Sequence, residues 1–531
     1  MYDFDWLVIG SGFGGSVSAH RLTEKGYTVG VLEMGKRWAP ADFPKTNWDL
    51  KRFLWAPLAG CHGIFKMTLL PHVFILSGAG VGGGSLVYAN TLLVPPPRAF
   101  EDPKWKDLAD WKTVLPPFYA TAKRMLGAVE TNKFFAADEL VRAHAKRIGR
   151  EASFAPTTVA VYFGEAGKTV PDPFFDGEGP PREGCNYCGG CMVGCRFGAK
   201  NTLDKNYLFL AEKRGAAVFP ERRVTLVEPL PEGGYRVHTE RSTSLFRKDR
   251  KVYTARGVVF SAGVLGTVDL LLKCKEQGAL SKLSDRLGDF VRTNSEAVLG
   301  VTARDPNKKM NQGVAIGSQI ELDDHTHLEP VRYSSGSDSL ALITTPLTDG
   351  GGRVPRWLRW LGVVLTSPLD VLRGWMPFGW AERTVILLVM QTLDNHMAIR
   401  RGRRWFWPFG KQLVTQIPAG QPPVPTYIPS ANVAARAIAK DLGGMARSSV
   451  TEAVLDVPTT AHILGGCAMG TSAADGVIDA KCRVFGYDHM MVIDGSMIGA
   501  NLGVNPSLTI TALAEHAMSH VPRKGEAGRA E

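Results

Sequence analysis

The stretch Gly10-Ser11-Gly12-Phe13-Gly14-Gly15 constrains this chain more than any other. Before it runs Asp5-Trp6-Leu7-Val8-Ile9, short and apolar, as a buried first strand is. After it, Ser16 to Leu22 reads as a helix, Gly26 breaks the chain, and Tyr27 to Glu33 reads as a second strand ending on an acid. A G-x-G-x-x-G loop between strand and helix, with an acid closing the next strand, is a dinucleotide-binding fingerprint. Gly10 allows the tight turn, Gly12 lets a pyrophosphate reach the backbone, and Gly15 lets helix pack on strand. The phosphates sit at the helix N-terminus, where free N–H groups and the helix dipole favour an anion. Glu33 is placed to accept from ribose hydroxyls and to repel a 2′-phosphate, so NAD or FAD is expected rather than NADP.

The 531 residues suit about three domains at roughly 150 residues each, or fewer if a doubly wound domain carries insertions. With 44% hydrophobic and 21% charged residues, a large core is expected and wholesale disorder is excluded. The net charge of +11 favours anionic surfaces, but the basic residues are scattered and form no nucleic-acid motif. The fingerprint begins too early to follow a cleavable signal peptide, and no apolar run reaches the ~18 residues of a membrane span. A cytoplasmic protein is therefore expected.

A second glycine loop, Gly78 to Ser85, follows the apolar Val73 to Leu76. Its Gly80, Gly82, Gly83 and Ser85 let backbone approach something flat or charged. Ala120 to Leu126 and Asp138 to Ile148 read as helices, and Thr169 to Pro181 as a proline-rich loop. Eight cysteines in a reducing compartment are not a disulfide framework. Four of them, Cys185, Cys188, Cys191 and Cys195, form a C-x2-C-x2-C-x3-C run, the bacterial ferredoxin spacing with Arg196 in place of proline. The spacing points to a [4Fe–4S] cluster, with another metal or an inert loop as alternatives. Zinc fits less well, since its cysteine pairs are usually further apart. The fourth cysteine of such runs can serve a different cluster, which leaves Cys61 as a substitute for Cys195.

Val224 to Pro229 and Tyr235 to Thr239 read as a hairpin around Glu232-Gly233-Gly234. Val258 to Thr267 reads as strand, glycine turn and helix, a return to the first sheet. Residues 297 to 345 alternate as antiparallel strands do. Asp323 to Glu329 is rich in metal-ligating types but sits at a turn with no further ligand set. Arg356 to Trp380, rich in Trp, Leu and Arg and broken by Pro368 and Pro377, suits either a membrane surface or a packing lid. Glu382 precedes an apolar strand, Thr384 to Met390. The end carries Thr460-Ala461-His462-Ile463-Leu464-Gly465-Gly466-Cys467, then Val492-Ile493-Asp494-Gly495-Ser496, then Gly503-Val504-Asn505-Pro506-Ser507 and a closing helix. Cys467 reads as a buried packing thiol.

The fingerprint, the GAGVGGGS loop, the AHILGGC segment and the DGS and GVNPSLTITALAE segments, in this order, resemble the glucose–methanol–choline oxidoreductases. The resemblance extends over most of the chain and is strongest to members acting on sterols. It implies an α/β fold: a discontinuous Rossmann-like FAD-binding domain plus a substrate domain with an antiparallel sheet and helices. Residues 1–100, 200–300 and 455–531 would form the FAD domain, 101–199 an insertion with the four-cysteine loop, and 301–454 the substrate domain. By the same resemblance His462 and Asn505 face the flavin, Asp494 and Gly495 lie near its ribityl chain and pyrophosphate, and Glu382 serves steroid isomerisation.

The chemistry agrees with that assignment. Oxidising a secondary alcohol needs the hydroxyl proton accepted while hydride leaves the carbon, work suited to a histidine with an amide donor beside it. The expected reaction is oxidation of a bulky apolar alcohol, first a 3β-hydroxysteroid, to the ketone, with oxygen or an electron carrier as acceptor. A long-chain alcohol is the alternative substrate, and an electron-transfer flavoprotein without an alcohol site is the alternative of another class. The oligomeric state is left open.

Overall fold

A computed structural model describes residues 1–404 and 407–526. The chain enters through β1 (Phe4–Ile9), turns at the glycine loop into α1 (Phe13–Glu24), and returns through β2 (Val29–Leu32). Leu7 and Val8 are buried, as a parallel strand covered on both faces requires. Four more strands extend this sheet: β3 (Ala217–Phe219), β4 (Arg222–Pro229), β5 (Tyr235–Arg241) and β6 (Lys251–Phe260), followed by α2 (Gly263–Glu276). The strand order is β3-β2-β1-β6-β5-β4. The pairs β3–β2, β2–β1 and β1–β6 are parallel, whereas β6, β5 and β4 form an antiparallel meander.

The second sheet comprises β7 (Ala297–Ala303), β8 (Ser318–Glu321), β9 (Thr326–Val331), β10 (Thr344–Pro346), β11 (Thr384–Gln391) and β12 (Gly444–Ser449). Its order is β10-β12-β7-β11-β9-β8, antiparallel throughout, with the two-residue strand Ala155–Pro156 on the β8 edge. Between β10 and β11 lie α3 (Arg356–Thr366) and α4 (Pro368–Trp375), separated where Pro368 starts a new helix. Between β11 and β12 lies α5 (Pro429–Leu442). It lays Ala431, Ala434, Ala435, Ile438 and Leu442 against β7 and β12, a helical stripe of mostly small side chains that permits close approach.

The chain then returns to the first sheet. Residues Thr459–Thr460 pair in parallel with Phe74 and Ile75 of the strand that leads into the second glycine loop. β13 (Met490–Val492) pairs with Val258 to Phe260, taking the edge of β6 that β5 leaves free beyond Ala255. The last helix, α6 (Ser507–Ser519), is buried along most of its length and packs on α1. Arg21 of α1 donates through Nε and Nη2 to Glu515 at 2.7 and 2.8 Å, and Tyr207 donates to the same carboxylate. The Rossmann-like sheet and the antiparallel substrate-side sheet are the two layers the sequence leads one to expect.

Candidate active site

The two glycine loops meet. The backbone N–H of Gly82 donates to Ser11 Oγ at 3.0 Å, and a Cβ on Gly83 would fall 2.6 Å from Gly12 Cα. Gly10 has φ +102, and its missing Cβ would sit 2.2 Å from Ser261 O, so the turn admits only glycine. A Cβ on Gly14 would fall 1.8 Å from Ile493 O, and one on Gly15 would fall 2.1 Å from Gly10 O. Gly12 is different: an added Cβ meets nothing within 4 Å. Open space therefore lies in front of α1, whose N-terminus carries no side-chain cap. A crowded loop with one glycine facing a void at a helix N-terminus suits a pyrophosphate.

Around this cradle the other expected cofactor residues take defined places. Phe13 packs edge-on against Tyr88. Ser85 Oγ donates to Gly82 O at 2.7 Å, and Gly80 and Gly82 both have positive φ. Glu33 is buried, and burial raises its pKa against the lowering effect of its hydrogen bonds. Its carboxylate accepts from Gly35 N at 2.8 Å and from Ser11 N and Oγ at 3.1 and 2.7 Å, so it braces the first loop. Asp494 is likewise held within the chain, accepting from Thr267 Oγ1, Ser496 N and Ser496 Oγ. Gly495 O accepts from Gly465 N at 2.9 Å, which fixes the DGS segment to the segment carrying His462.

His462 and Asn505, 43 positions apart, come together with Nε2 and Nδ2 3.5 Å apart. Two carboxylates that sequence reasoning missed complete the group. Glu296 hydrogen-bonds His462 Nδ1 and accepts from Ala461 N at 2.8 Å. Glu329 accepts from Asn505 Nδ2 at 3.2 Å. Asn505 Oδ1 is buried with no partner within the chain. Burial alone would lower the pKa of His462, but the charge and hydrogen bond of Glu296, with Glu329 behind, hold it above the usual range. Behind Glu329 stands His327, whose Nε2 lies 3.3 Å from Glu329 Oε1 and whose Nδ1 lies 3.2 Å from Glu321 Oε1. Burial works against its protonation, yet the two carboxylates push its pKa up to about 9.

Local backbone explains the aim of these groups. Asn294 and Ser295 both have positive φ, at 60° and 46°, a strained turn that presents Glu296. Asn294 Nδ2 donates to Val504 O at 2.8 Å and its Oδ1 accepts from Gly503 N at 2.9 Å, so one amide ties the Glu296 turn to the Asn505 segment. In the sequence, the only trace of Glu329 was the acid-rich turn Asp323 to Glu329. In the structure His327 and Glu329 share one face of β9, and Glu321 is the cross-strand partner of His327.

Two expected sites do not form as expected. Glu382 lies elsewhere: its carboxylate accepts from Gly336 N at 3.1 Å and from Ser335 Oγ. It follows a left-handed Gly379 in a short helix, which points it at the 334–337 turn. The four thiols Cys185, Cys188, Cys191 and Cys195 are free and line one cavity of about 520 Å³. Among the described residues, however, no three Cys, His, Asp or Glu side chains stand where they could hold a metal ion. The loop turns through positive φ at Tyr187, Gly189 and Gly194, and all four thiols lie on the cavity wall. Burial, with the neighbouring thiols adding to it, raises the pKa of Cys185 and takes Cys188 to about 11. The iron–sulfur site expected from the spacing thus has no assembled ligand set, and Cys61 is not among the lining residues. Lys200 lies beside the thiols, its Nζ donating to Cys191 O at 2.8 Å and to Leu86 O at 3.0 Å, which joins this loop to the second glycine loop.

The dinucleotide cradle and the group of His462, Asn505 and two buried carboxylates suit a flavin-dependent alcohol oxidoreductase, and the chain belongs to the GMC oxidoreductase family. Family models described as GMC oxidoreductase match residues 180–275 and 417–514, and one described as an NAD(P)-binding Rossmann-like domain matches residues 8–39. Among individual proteins, the chain is 49% identical to a cholesterol oxidase of Acinetobacter baumannii, over 98% of this chain and 95% of that protein. It is 48% identical to a cholesterol oxidase of Mycobacterium tuberculosis, over 99% and 92%. A long-chain-alcohol oxidase of Arabidopsis thaliana is 24% identical over 96% of this chain and 66% of that protein. The fold also matches a pyridoxine 4-oxidase from Mesorbium loti, with a TM-score of 0.60 at 15% identity over 97% of this chain and 99% of that one.

Proposed function

We propose that this enzyme oxidises the hydroxyl of a 3β-hydroxysteroid to the ketone. The observation that carries the reading is the hydrogen-bonded group of His462, Asn505, Glu296 and Glu329. The names of the two most similar relatives given above support a sterol as substrate and oxygen as acceptor. FAD, when bound, supplies the hydride acceptor, and the residues fit it: the Gly10–Gly15 loop and α1 for the pyrophosphate, and Gly80, Gly82, Gly83 and Ser85 beside it. Glu33 and Asp494 brace that cradle from behind.

The protein's own part is proton handling and orientation. His462 accepts the hydroxyl proton at Nε2, while Glu296 holds Nδ1 and stabilises the imidazolium that forms. Asn505 Nδ2 donates to the alcohol oxygen as negative charge develops there. Its Oδ1 has no partner within the chain. Glu329, rather than Glu382, is the carboxylate placed to move a proton between carbons if the product ketone carries a mobile double bond.

Anaerobic mixing of the flavin-loaded enzyme with a 3β-hydroxysteroid and, separately, with a long-chain alcohol tests the proposal. The steroid bleaches the flavin faster. Bleaching by the long-chain alcohol alone moves the substrate class, and bleaching by neither overturns the alcohol reading. One peroxide formed per alcohol oxidised identifies oxygen as the acceptor.

A further inference from the structure

We propose that Arg447 binds a carboxylate at the far end of the substrate, so that the enzyme acts on 3β-hydroxysteroids whose side chain ends in an acid. The inference rests on the steroid reading above for the end held at His462. Arg447 stands on β12 and is 1% exposed. Its Nε and Nη2 are both buried, and neither donates to any group among the described residues. Those two nitrogens form one edge of the guanidinium, an edge that can grip a carboxylate with two parallel bonds. Arg21 uses the same edge within this protein, its Nε and Nη2 donating to Glu515 at 2.7 and 2.8 Å.

An isolated buried charge is costly, and the chain gives Arg447 no relief. Burial lowers its pKa to about 10, and the charged neighbour that acts on it is Arg383, a second cation. At neutral pH the group is therefore still charged. Its Nη1 lies against Gly374 of α4, where an added Cβ would fall 1.4 Å from that nitrogen. The helix thus covers one side of the guanidinium and leaves the Nε–Nη2 edge for an acid. A ligand that brings an anion supplies the partner that the fold does not.

Strand register ties Arg447 to the active site. Glu329, Leu388 and Val298 stand opposite one another in one row across β9, β11 and β7. The next row on the same face runs Val331, Ile386, Gly300 and Arg447, ending on β12. The other face of the sheet carries Leu299, Val301 and Leu387, which pack with the small residues of α5. From Glu329 to Arg447 the register spans three strand spacings and one row, roughly 16 Å at about 4.8 Å per spacing and about 3.4 Å per residue. The floor between them is apolar and open. Val298 and Ile386 are only half-buried although they lie on the two central strands. Gly300 has no side chain, and a Cβ there would meet nothing nearer than 3.8 Å. A rigid, flat apolar body suits such a floor, and the span matches a steroid from its 3-hydroxyl to the end of a short acid side chain. With the hydroxyl at His462 and Asn505, beside Glu329, the acid comes to Arg447. A neutral side chain would leave the guanidinium buried and unpaired, so the acid is preferred.

The test compares 3β-hydroxychol-5-enoic acid with its methyl ester, which has the same body but no charge, on the flavin-loaded holoenzyme. Wild-type kcat/KM is about 10- to 150-fold higher for the acid, the worth of hydrogen bonds to a charged group. In Arg447→Met that ratio falls to one or below. In Arg447→Lys it lies between, because an ammonium keeps the charge and loses the fork. A wild-type ratio of one or less overturns the proposal, as does a ratio that Arg447→Met leaves unchanged. The wild-type comparison needs no variant, so it decides the matter even if Arg447→Met does not fold. Binding is read separately from oxidation with 3-oxochol-4-enoic acid, already a ketone, and its methyl ester. The acid raises the wild-type melting temperature more than the ester does, and the difference disappears in Arg447→Met. Equal shifts by acid and ester in the wild type overturn the assignment of Arg447. Selective binding of the keto acid with no oxidation of either hydroxysteroid removes the alcohol reading and leaves the carboxylate site standing. Equal oxidation of acid and ester by wild type and variant does the reverse.

Discussion

Glu296→Gln isolates the charge behind His462. Glutamine keeps the shape of the side chain and an oxygen that can still accept from Ala461 N or His462 Nδ1, but it carries no charge. In the wild type that charge outweighs burial and holds the imidazole above its usual range. With the charge removed, burial dominates and pulls the imidazole below that range. Proton acceptance at Nε2 requires the neutral ring. Wild-type kcat/KM therefore rises with pH along a limb set above the ordinary histidine value of about 6.5. In the variant the limb moves to lower pH. The plateau falls as well, because the imidazolium formed in the transition state loses its charged partner. Hydrogen bonds to charged groups contribute about 1.5–3 kcal/mol, so the loss is about 10- to 150-fold. The assay is kcat/KM for a 3β-hydroxysteroid across a pH series, with flavin content measured in each preparation. A limb that stays in place or moves to higher pH refutes the argument, and so does a plateau equal to the wild type.

Asn505→Ala lowers turnover by about 100-fold with FAD still bound, the cost of one oxyanion-type donor; normal turnover would place the donor elsewhere. Gly12→Ala folds, because its Cβ enters open space, but binds less flavin, whereas Gly14→Ala yields little soluble protein because its Cβ overlaps Ile493 O. Flavin absorbance per protein and thermal melting separate the two. The folded-state pKa of His327 is raised to about 9, so its contribution to stability is complete below about pH 6.5 and is lost as pH rises through about 9. Urea midpoints show that decline in the wild type, and a decline of equal size in His327→Gln would rule out the carboxylate clasp as its source.

The first sheet was largely legible because its signals are local. Val8, Gly10, Gly12, Gly15 and Glu33 sit within one βαβ unit, and the Glu232-Gly233-Gly234 turn marks the hairpin. His462 and Asn505 were legible as candidates because their segments resemble those of the glucose–methanol–choline oxidoreductases. Glu296 and Glu329 were not. Glu296 owes its aim to positive φ at Asn294 and Ser295, ordinary residues whose backbone is fixed by a contact with Gly503 and Val504 more than 200 positions away. Glu329 depends on strand register, which places His327 opposite Glu321. Glu382 had the right residue type before an apolar strand, but the turn at Gly379 sends it to Ser335 and Gly336. The cysteine spacing was clear, yet spacing alone does not dictate whether thiols converge on one ion, and among the described residues these do not.

The way β13 completes β6 bears on how the chain is made. Gly14 rests against Ile493, the edge of β6 is covered by residues 490–492, and α1 is covered by α6. A ribosome adding roughly 5–20 residues per second takes on the order of a minute to reach them. Throughout that interval the first strands and helix can pair with the elements made by residue 260 but lack the cover that residues 490–519 supply. The cradle is thus completed only once the segment around Ile493 has been made. Slower growth at low temperature or a supply of folding helpers will raise the yield of flavin-loaded protein, and removal of the final helix will abolish it, although the fingerprint at the other end of the chain is untouched.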